Sequence, residues 1–489
     1  MAKRIAFWET ALRDAHQSLW ATRMTMEMME DILPNMDATG YDYMAILGSA
    51  GLEANVYYLA EDPWERLDMI QRGAPKTTKC VWVRSLNMLG WELFADDVFD
   101  LTLDVLARHG VGASATMDAN NDTRNMMPGI EASKKAGMKA FASLVYSVSP
   151  VHTDEYYVKR VKEIVALGVD GIQIKDSGAL LTPDTVRTLT PAFREAMGPD
   201  LELHFHTHCT SGLGPLNAIE ALSLGIDVMH SAITPLAHGN SNPPTEMVAR
   251  EALNMGFDVG LDFDCLERTA EHFRQQAIRY GKPLGQPKVY DPGLYQHQVP
   301  GGMRSNLEAQ LDTLGLSDKL PAVLEEISRI REELGWPIMV SPLSQYCGVQ
   351  ALFNVVEGHR YRTVQTELKK YATGWYGQTP APIDPDIQDR LSEGDPVITE
   401  RPGSLIEPMV EKCRMERGPF AQDEDLVLAL HFKPKVLDDW HAARDARAHE
   451  AAANTPMTHL VKELSARPEV SYFFFGKDDT RVSHATSRR

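Results

Sequence analysis

Several features that would assign this chain to a particular class of protein are missing from its 489 residues. The five cysteines are scattered and form no Cys-x-x-Cys pair, which argues against a disulfide framework or a zinc-thiolate site. No uncharged run approaches the roughly 18 residues of a membrane span, and the first residues lack the apolar core of a signal peptide. We therefore expect a cytoplasmic protein without a membrane segment, whose metal ligands are not cysteines.

Positive charge is also scarce. The formal net charge is -19, and Lys and Arg are clustered only in the last few residues. This balance argues against binding to nucleic acid or to an anionic membrane surface. Because 43% of the residues are hydrophobic, the chain can bury an ordinary core, and its expected partners are proteins and small molecules.

The first 256 residues alternate short apolar runs with amphipathic helical patterns. The runs predicted as strands are residues 4–12, 41–47, 79–86, 112–118, 139–147, 171–175, 202–208 and 228–234. Most of the helical patterns end at a glycine, such as Gly40 or Gly110, which can adopt the left-handed conformation that closes a helix. Eight strand-helix units at roughly 30-residue intervals predict an α/β fold, a closed (β/α)8 TIM barrel. An open doubly wound sheet is the alternative, but the glycine fingerprint expected after its first strand is missing.

The pattern changes after residue 260 and becomes mostly helical. We predict a TIM-barrel domain over residues 1–285 and a mostly helical C-terminal domain over residues 286–410. From about residue 401 the chain becomes rich in charge, so residues 411–489 are predicted to form a charged C-terminal extension.

Candidate ligands lie at the carboxyl ends of the predicted strands, where TIM barrels place their reactive groups. Side chains alternate along a strand, so His206 and His208 point to the same side and direct two imidazoles into one mouth of the barrel. His204, about 7 Å deeper on that face, is expected to be a buried, hydrogen-bonded histidine. A His-x-His pair is as often structural as metal-binding, but a carboxylate such as Asp14 supplies the anionic oxygen that two imidazoles need beside a divalent ion.

Lys175 ends the sixth predicted strand. As an ammonium ion it cannot ligate a metal, and its burial beside a cation would be costly. From the residues alone, the simplest interpretation is a salt bridge with Asp176 or Asp14.

The segment from Glu9 to Arg23 carries a specific likeness. Its order, Glu-Thr-Ala-Leu-Arg-Asp-Ala-His-Gln-Ser-Leu-Trp-Ala-Thr-Arg, closely resembles the opening signature of biotin-dependent carboxyltransferases: the carboxyltransferase domains of pyruvate carboxylase and oxaloacetate decarboxylase and the transcarboxylase 5S subunit. Similar segments follow at residues 61–67, 149–153, 175–176, 206–212, 299–303 and 344–345. The resemblance covers roughly residues 4–410 and is nearest to the 5S type.

The resemblance implies a metal site. In this family the lysine at the position of Lys175 is carbamylated and becomes a metal ligand, which replaces the salt-bridge interpretation. Asp14, His206 and His208 resemble the remaining ligands. Zinc, cobalt and manganese all suit two imidazoles with oxygen ligands.

The resemblance also implies a reaction. Arg13, Gln17 and Arg84 resemble the groups that bind a 2-oxo acid acceptor, and an arginine fork can pair both oxygens of its carboxylate. Carboxybiotin on a carrier protein would release its carboxyl group beside an acceptor that the metal has helped to convert to an enolate. Together with Arg13, Gln17 and Lys175, Thr234 is expected to be catalytic.

Some residues near the pocket depart from the family. Strand 2 of the family usually ends in Glu-x-Trp-Gly-Gly, but here it contains Ala45, and strand 4 usually carries Phe-Arg-x-Phe-Asp, but here it contains Ala115. An acid and a base have been lost together, which predicts an emptier, less polar pocket, since either charge alone would be costly to bury. After strand 8 the family's Ser-Met-Ser is replaced by residues 235–237, which leaves Thr234 or Thr210 to pass a proton. We expect an acceptor other than pyruvate.

Two further segments of the family are not found in the sequence: an Ala-Met-Lys-Met biotinylation site and a glycine-rich ATP-binding segment. We therefore expect a separate biotin carboxyl carrier protein and a separate biotin carboxylase subunit around a homodimer or larger oligomer of this chain. Two alternatives stay open. One is a metal-dependent carbon-carbon lyase or synthase like HMG-CoA lyase or isopropylmalate synthase, and the other is a decarboxylase of carboxybiotin that has no organic acceptor.

Overall fold

The computed structural model describes residues 2–313, 315–453, 460–461, 463–464, 467, 472–477 and 480–485. The chain divides into two compact units, Met1–Phe432 and Lys433–Arg489. The division of the first unit near residue 285 and the extension from residue 411 stay predictions.

The predicted TIM barrel is confirmed: eight parallel strands pair in chain order, and the last pairs with the first. The barrel strands are β1 (Ala6–Glu9), β2 (Tyr43–Leu47), β3 (Thr78–Arg84), β4 (Val111–Met117), β5 (Lys139–Val145), β6 (Gly171–Asp176), β7 (Glu202–Thr207) and β8 (Val228–Ser231). These strands are buried along nearly their whole length, as expected for a parallel sheet that is covered by helices.

Helices follow the strands and continue into the second half of the chain. Those associated with the barrel are α1 (His16–Trp20), α2 (Leu33–Ala38), α3 (Ser49–Ala54), α4 (Pro63–Gly73), α5 (Asp96–Arg108), α6 (Thr123–Lys135), α7 (Asp154–Val165), α8 (Pro183–Met197), α9 (Gly214–Leu222), α10 (Thr245–Asn254) and α11 (Phe263–Arg279). Gly40 and Gly110 follow their helices with φ angles of +95° and +85°, as their positions predict.

A mostly helical region completes the first unit, as the sequence predicts. Its helices are α12 (Leu294–His297), α13 (Gly301–Thr313), α14 (Leu320–Glu333), α15 (Leu343–Glu357), α16 (Thr366–Ala372), α17 (Pro385–Ser392), α18 (Val410–Arg417) and α19 (Asp423–His431). Ile338, in the loop before α15, packs against Met117 and Val145 at the carboxyl ends of β4 and β5. The helical region therefore covers part of the barrel mouth in which the candidate ligands lie.

The second unit contains α20 (Pro434–Ala453) and an antiparallel pair, β9 (Tyr472–Lys477) and β10 (Thr480–Ala485). Over the part of the chain that the structure describes, no helix combines the length and apolar character needed to cross a membrane.

The first predicted strand, residues 4–12, is too long. β1 ends at Glu9, because the Glu9 carboxylate accepts hydrogen bonds from the backbone N–H groups of Thr10 and Ala11 at 3.1 and 2.7 Å. The chain then forms a π-helical turn, Ala11–Ala15. Arg13 and Asp14 therefore lie on a turn above the barrel rather than on the strand itself.

Candidate metal centre

Three predicted ligands from opposite ends of the barrel sequence meet at its mouth. Candidate ligand atoms of Asp14, His206 and His208, hereafter the ligand triad, all lie within 4.8 Å of one another. His208 Nε2 lies 3.0 Å from Asp14 Oδ2, and His206 Nε2 lies 3.3 Å from the same oxygen. All three side chains are buried. The turn after β1 and the end of β7 thus bring the two histidines to one oxygen of the carboxylate.

The hydrogen bonds around His208 indicate what belongs between these atoms. His208 Nδ1 lies 2.7 Å from the carbonyl oxygen of Asn240, which can only accept, so Nδ1 carries the proton. In the neutral ring, Nε2 then presents a lone pair toward Asp14 Oδ2. Two acceptors 3.0 Å apart in a buried site repel each other unless a cation lies between them. The residues present therefore fit a bound metal ion.

The electrostatics keep Asp14 and His206 in their ligating forms. Burial alone would raise the pKa of Asp14, but Arg13, His208 and His206 hold it well below its usual range. Burial, together with the nearby Lys175, lowers the pKa of His206 to about 3. An ionised carboxylate and a neutral imidazole are the forms that bind a divalent ion.

Lys175 lies next to the triad in the sheet, since β6 pairs with β7 in a register that aligns Lys175 with His206. The salt bridge suggested by the residues alone is wrong. Among the described residues the buried Lys175 Nζ has no hydrogen-bond partner, and the Asp176 carboxylate instead accepts from Leu180, Leu181 and Thr207. Nζ lies 4.3 Å from the centre of the Trp82 ring, and burial lowers the pKa of Lys175 to about 7.

Arg13 borders the same space. Its guanidinium pairs with Asp14 and lies 4.6 Å from the centre of the Trp82 ring. Gly48 approaches it so closely that a Cβ added there would lie 2.7 Å from Arg13 Nε. Arg13 Nε itself is buried and has no hydrogen-bond partner in the described structure. A donor is thus available beside the triad.

Arg84, at the end of β3, lies near Arg13, because Ser49, the residue after Gly48, accepts a hydrogen bond from Arg84 Nε at 2.9 Å. Arg84 Nη2 donates to the carbonyl of Gly90 at 2.7 Å, and Trp91 covers the guanidinium, with 4.6 Å from Cζ to the ring centre. Burial lowers the pKa of Arg84 to about 10, which leaves it charged at neutral pH. The structure therefore places two largely buried cationic groups along one side of the mouth.

The other predicted site residues are less directly connected to the triad. Gln17 is half-buried in α1, one turn beyond Asp14, and Thr210 is half-buried after β7. Thr234 donates its hydroxyl to Glu246 Oε2 at 3.3 Å, and its backbone N–H donates to the same carboxylate. No hydrogen bond or ion pair in the described part of the chain joins any of these three side chains to the ligand triad.

The part of the barrel that contains these two departures from the family is apolar. Ala45 and Ala115 are fully buried in the same apolar cluster as Trp82 and Phe141. Trp82 is aligned with Ala115 in the pairing of β3 with β4, so the large indole occupies space beside the small side chain. An aromatic ring therefore fills the space beside Ala115, and an emptier pocket than the family's stays a prediction.

His230 is a residue that the sequence analysis missed. It lies on β8 with its ring against His206, and Nδ1 of each ring lies 3.2 Å from the other. His204 behaves as expected, fully buried and hydrogen-bonded, with Nδ1 3.1 Å from His230 Nε2. A period-two pattern in β8 would have pointed His230 into the barrel, but only the closed structure shows that it contacts His206.

Two family models together match most of the chain. A family model described as HMGL-like matches residues 4–272, and one described as a conserved carboxylase domain matches residues 294–480. A pyruvate carboxylase subunit of Methanocaldococcus jannaschii is 38% identical over 425 residues, which cover 86% of this chain and 74% of that protein. The methylmalonyl-CoA carboxyltransferase 5S subunit of Propionibacterium freudenreichii subsp. shermanii is 36% identical over 456 residues, 92% of this chain and 90% of that protein.

A solved structure gives the same result. The carboxyl transferase domain of Rhizobium etli pyruvate carboxylase with pyruvate superposes with a TM-score of 0.84 at 26% identity and covers 91% of this chain and 77% of that one. The likeness seen in the segment from Glu9 to Arg23 therefore extends over nearly the whole chain. The chain belongs to the biotin-dependent carboxyltransferase family.

Proposed function

We propose that this chain is the carboxyltransferase subunit of a biotin-dependent complex and moves a carboxyl group between carboxybiotin and a small enolisable acceptor of the 2-oxo acid class, other than pyruvate. The observation that carries the proposal is the convergence of Asp14 Oδ2, His206 Nε2 and His208 Nε2 beside an unpartnered Lys175 Nζ. In this family, that arrangement supports metal-assisted carboxyl transfer.

Asp14, His206 and His208 would hold a divalent ion such as zinc, cobalt or manganese. Lys175 would join them as a carbamate. Burial lowers the pKa of Lys175 to about 7, so part of the amine is neutral, and this form adds CO2 with loss of one proton to give an anionic oxygen in place of an ammonium ion. When bound, the ion supplies a Lewis acid that polarises the carbonyl of the acceptor.

The remaining residues would bind and orient the acceptor. Arg13 Nε has a free N–H, and Arg84 adds a second positive charge on the same side, so an acceptor carboxylate can lie between them. Gln17 would donate to a further oxygen of the acceptor. The Thr234 hydroxyl would transfer a proton between the acceptor carbon and biotin, which requires it to turn away from Glu246.

The proposal of an acceptor other than pyruvate is based on the wall formed by Trp82, Ala45 and Ala115. Where the family resemblance implies an acid and a base, this wall is apolar and aromatic. A site distinguishes small acids mainly through its buried polar groups, because an acid that leaves such a group without a partner binds more weakly. An acceptor whose substituent packs against this apolar wall is therefore favoured over pyruvate itself.

A biotin carboxyl carrier protein and a biotin carboxylase subunit are proposed as separate partners, around a homodimer or larger oligomer of this chain. Support for this comes from the two relatives described above, since each is named as a subunit, one of pyruvate carboxylase and the other of methylmalonyl-CoA carboxyltransferase. A carbon-carbon lyase is less favoured, because it would not account for the match to a conserved carboxylase domain over residues 294–480.

The proposal can be tested with the purified chain, a carboxybiotinylated carrier protein and a panel of acceptors. Isotopic carboxyl exchange is measured with pyruvate, longer 2-oxo acids, a 2-oxo dicarboxylic acid and acyl-CoA thioesters, with the Lys175→Arg variant as the inactive control. We expect exchange that is fastest with a 2-oxo acid larger than pyruvate. Turnover with pyruvate alone, or CO2 release that no acceptor alters, would contradict the proposal.

A further inference from the structure

Three hydrogen-bonded imidazoles form a row that extends through the barrel from the ligand triad. His206 Nδ1 lies 3.2 Å from His230 Nδ1, and His230 Nε2 lies 3.1 Å from His204 Nδ1. His204 Nε2 lies 3.2 Å from Glu202 Oε2. All three imidazoles are fully buried. Both ring nitrogens of His204 and both ring nitrogens of His230 thus take part in one continuous chain of contacts.

The chain of contacts ends at the opposite mouth of the barrel. Glu202 is the first residue of β7, and its side chain is 30% exposed. Its carboxylate accepts hydrogen bonds from Lys139 Nζ at 2.9 Å and from Tyr43 Oη at 2.8 Å. Burial would raise the pKa of Glu202, but His204, Lys139 and Tyr43 lower it to about 2. This end of the row is therefore a carboxylate that can only accept hydrogen bonds.

A carboxylate at one end determines which nitrogen of each neutral ring carries the proton. Glu202 accepts from His204 Nε2–H, so His204 Nδ1 is bare and accepts from His230 Nε2–H. His230 Nδ1 is then bare and accepts from His206 Nδ1–H. This leaves the lone pair of His206 on Nε2, the atom that lies 3.3 Å from Asp14 Oδ2.

Packing holds these rings in the required orientation. The His230 ring stacks on Trp8, with 4.6 Å between centres and 23° between planes, and it meets His206 edge-on at 88°. Phe141 packs against His204, with 4.6 Å between ring centres. A ring flip at either position would break two hydrogen bonds in a fully buried site, and each unpaired polar group there is costly.

We infer that Glu202, His204 and His230 form a histidine relay whose role is to fix the tautomer of His206, so that a surface carboxylate at one mouth of the barrel prepares a metal ligand at the other. These are positioning residues. The inference rests on the proposed function only in taking His206 Nε2 to be a metal ligand. Metal-ligating histidines in general depend on an acceptor at the second ring nitrogen. Here that acceptor is Nδ1 of His230. The hydrogen bond from His230 Nε2–H to His204 leaves this nitrogen without a proton.

The first test measures the tautomers directly by ¹⁵N NMR of the histidine rings, on the full chain, both metal-free and loaded with zinc. We expect His204 and His230 to carry the proton on Nε2 and to be bare at Nδ1 in both states, because Glu202 sets the direction without the metal. A proton on Nδ1 of either ring would overturn the relay. If the unaltered chain binds no zinc, the proposed metal site fails, while the metal-free spectrum still decides the relay.

The second test uses three variants of His230 and the dissociation constant of zinc. His230→Asn places an amide oxygen where Nδ1 was, His230→Gln places one near the position of Nε2, and His230→Phe keeps the ring against Trp8 without either nitrogen. We expect His230→Phe and His230→Gln to weaken zinc binding by about 10- to 100-fold, since His206 loses its acceptor. His230→Asn should bind zinc nearly as tightly as the unaltered chain.

Folding is checked for each variant by its thermal midpoint without metal, so that a general loss of structure is separated from a loss of the acceptor. Equal zinc affinity in all three variants and the unaltered chain would overturn the inference. So would a His230→Asn variant that folds normally yet binds zinc as weakly as His230→Phe.

Discussion

Replacing Asp14 with asparagine tests two roles of this carboxylate, as partner of Arg13 and as member of the ligand triad. Both side chains of the Arg13–Asp14 pair are largely buried. Removal of one partner from a buried ion pair costs about 3–5 kcal/mol, because the other charge is left uncompensated. For a chain of 489 residues the entropy of unfolding is about 1 kcal/mol per kelvin, so the metal-free thermal midpoint should fall by about 3–5 °C.

The second role appears only when metal is added. At about 1,000 times its dissociation constant, a metal stabilises the unaltered chain by about 4 kcal/mol, or about 4 °C by the same conversion. The Asp14→Asn variant should show almost none of this increase, since it loses the only anionic ligand of the triad. Differential scanning fluorimetry across a zinc, cobalt and manganese series measures both effects in one experiment.

Glu61 provides the matched control. It forms an ion pair with Arg66 at 2.9 Å, and both side chains are about as buried as those of Asp14 and Arg13. Glu61→Gln should lower the metal-free midpoint by a similar amount and keep the full metal-induced increase. If Asp14→Asn keeps that increase, or if Glu61→Gln loses it, the assignment of Asp14 as a metal ligand is refuted.

Three further predictions concern a buried histidine, the lysine and the proposed proton donor. Burial lowers the pKa of His431 to about 4, so as the pH falls below 6.5 the unfolded chain takes up a proton that the folded chain refuses. This costs about 2 kcal/mol at pH 5. The His431→Phe variant keeps a ring against Phe94. Between pH 7.5 and pH 5 its thermal midpoint should fall by about 2 °C less than that of the unaltered chain. An equal fall in both proteins would contradict this prediction. Lys175→Arg keeps the charge but cannot become a carbamate, so carboxyl exchange should drop by about 100-fold or more, and mass spectrometry should find no CO2 adduct; near-normal exchange would exclude the carbamate. Thr234→Val should lower kcat by at least about 100-fold while metal binding and KM stay unchanged, and a change in KM alone would assign Thr234 to acceptor binding.

The barrel could be predicted from the sequence because its signals are local and repeated. Each strand is a short apolar run, and most helices end at a glycine. The ligand triad could be predicted from the same pattern, since a closed parallel barrel brings the carboxyl ends of all its strands to one mouth. His206 and His208 needed only the two-residue period of the strand predicted over residues 202–208.

Other parts of the site depend on contacts between distant segments and could not be predicted. The early end of β1 follows from the Glu9 carboxylate folding back onto its own backbone. The volume beside Ala115 is filled by Trp82 of the neighbouring strand, which single-strand patterns do not reveal. His230 gains its role only because β8 closes the barrel next to β7.

The most direct test of the metal centre is an anomalous diffraction measurement on crystals grown with cobalt and bicarbonate. We predict one strong anomalous peak about 2.0–2.2 Å from Asp14 Oδ2, His206 Nε2 and His208 Nε2. We also expect extra density on Lys175 Nζ that extends to the same peak. A cobalt site elsewhere in the barrel, or a triad that stays empty beside an unmodified Lys175, would contradict this assignment.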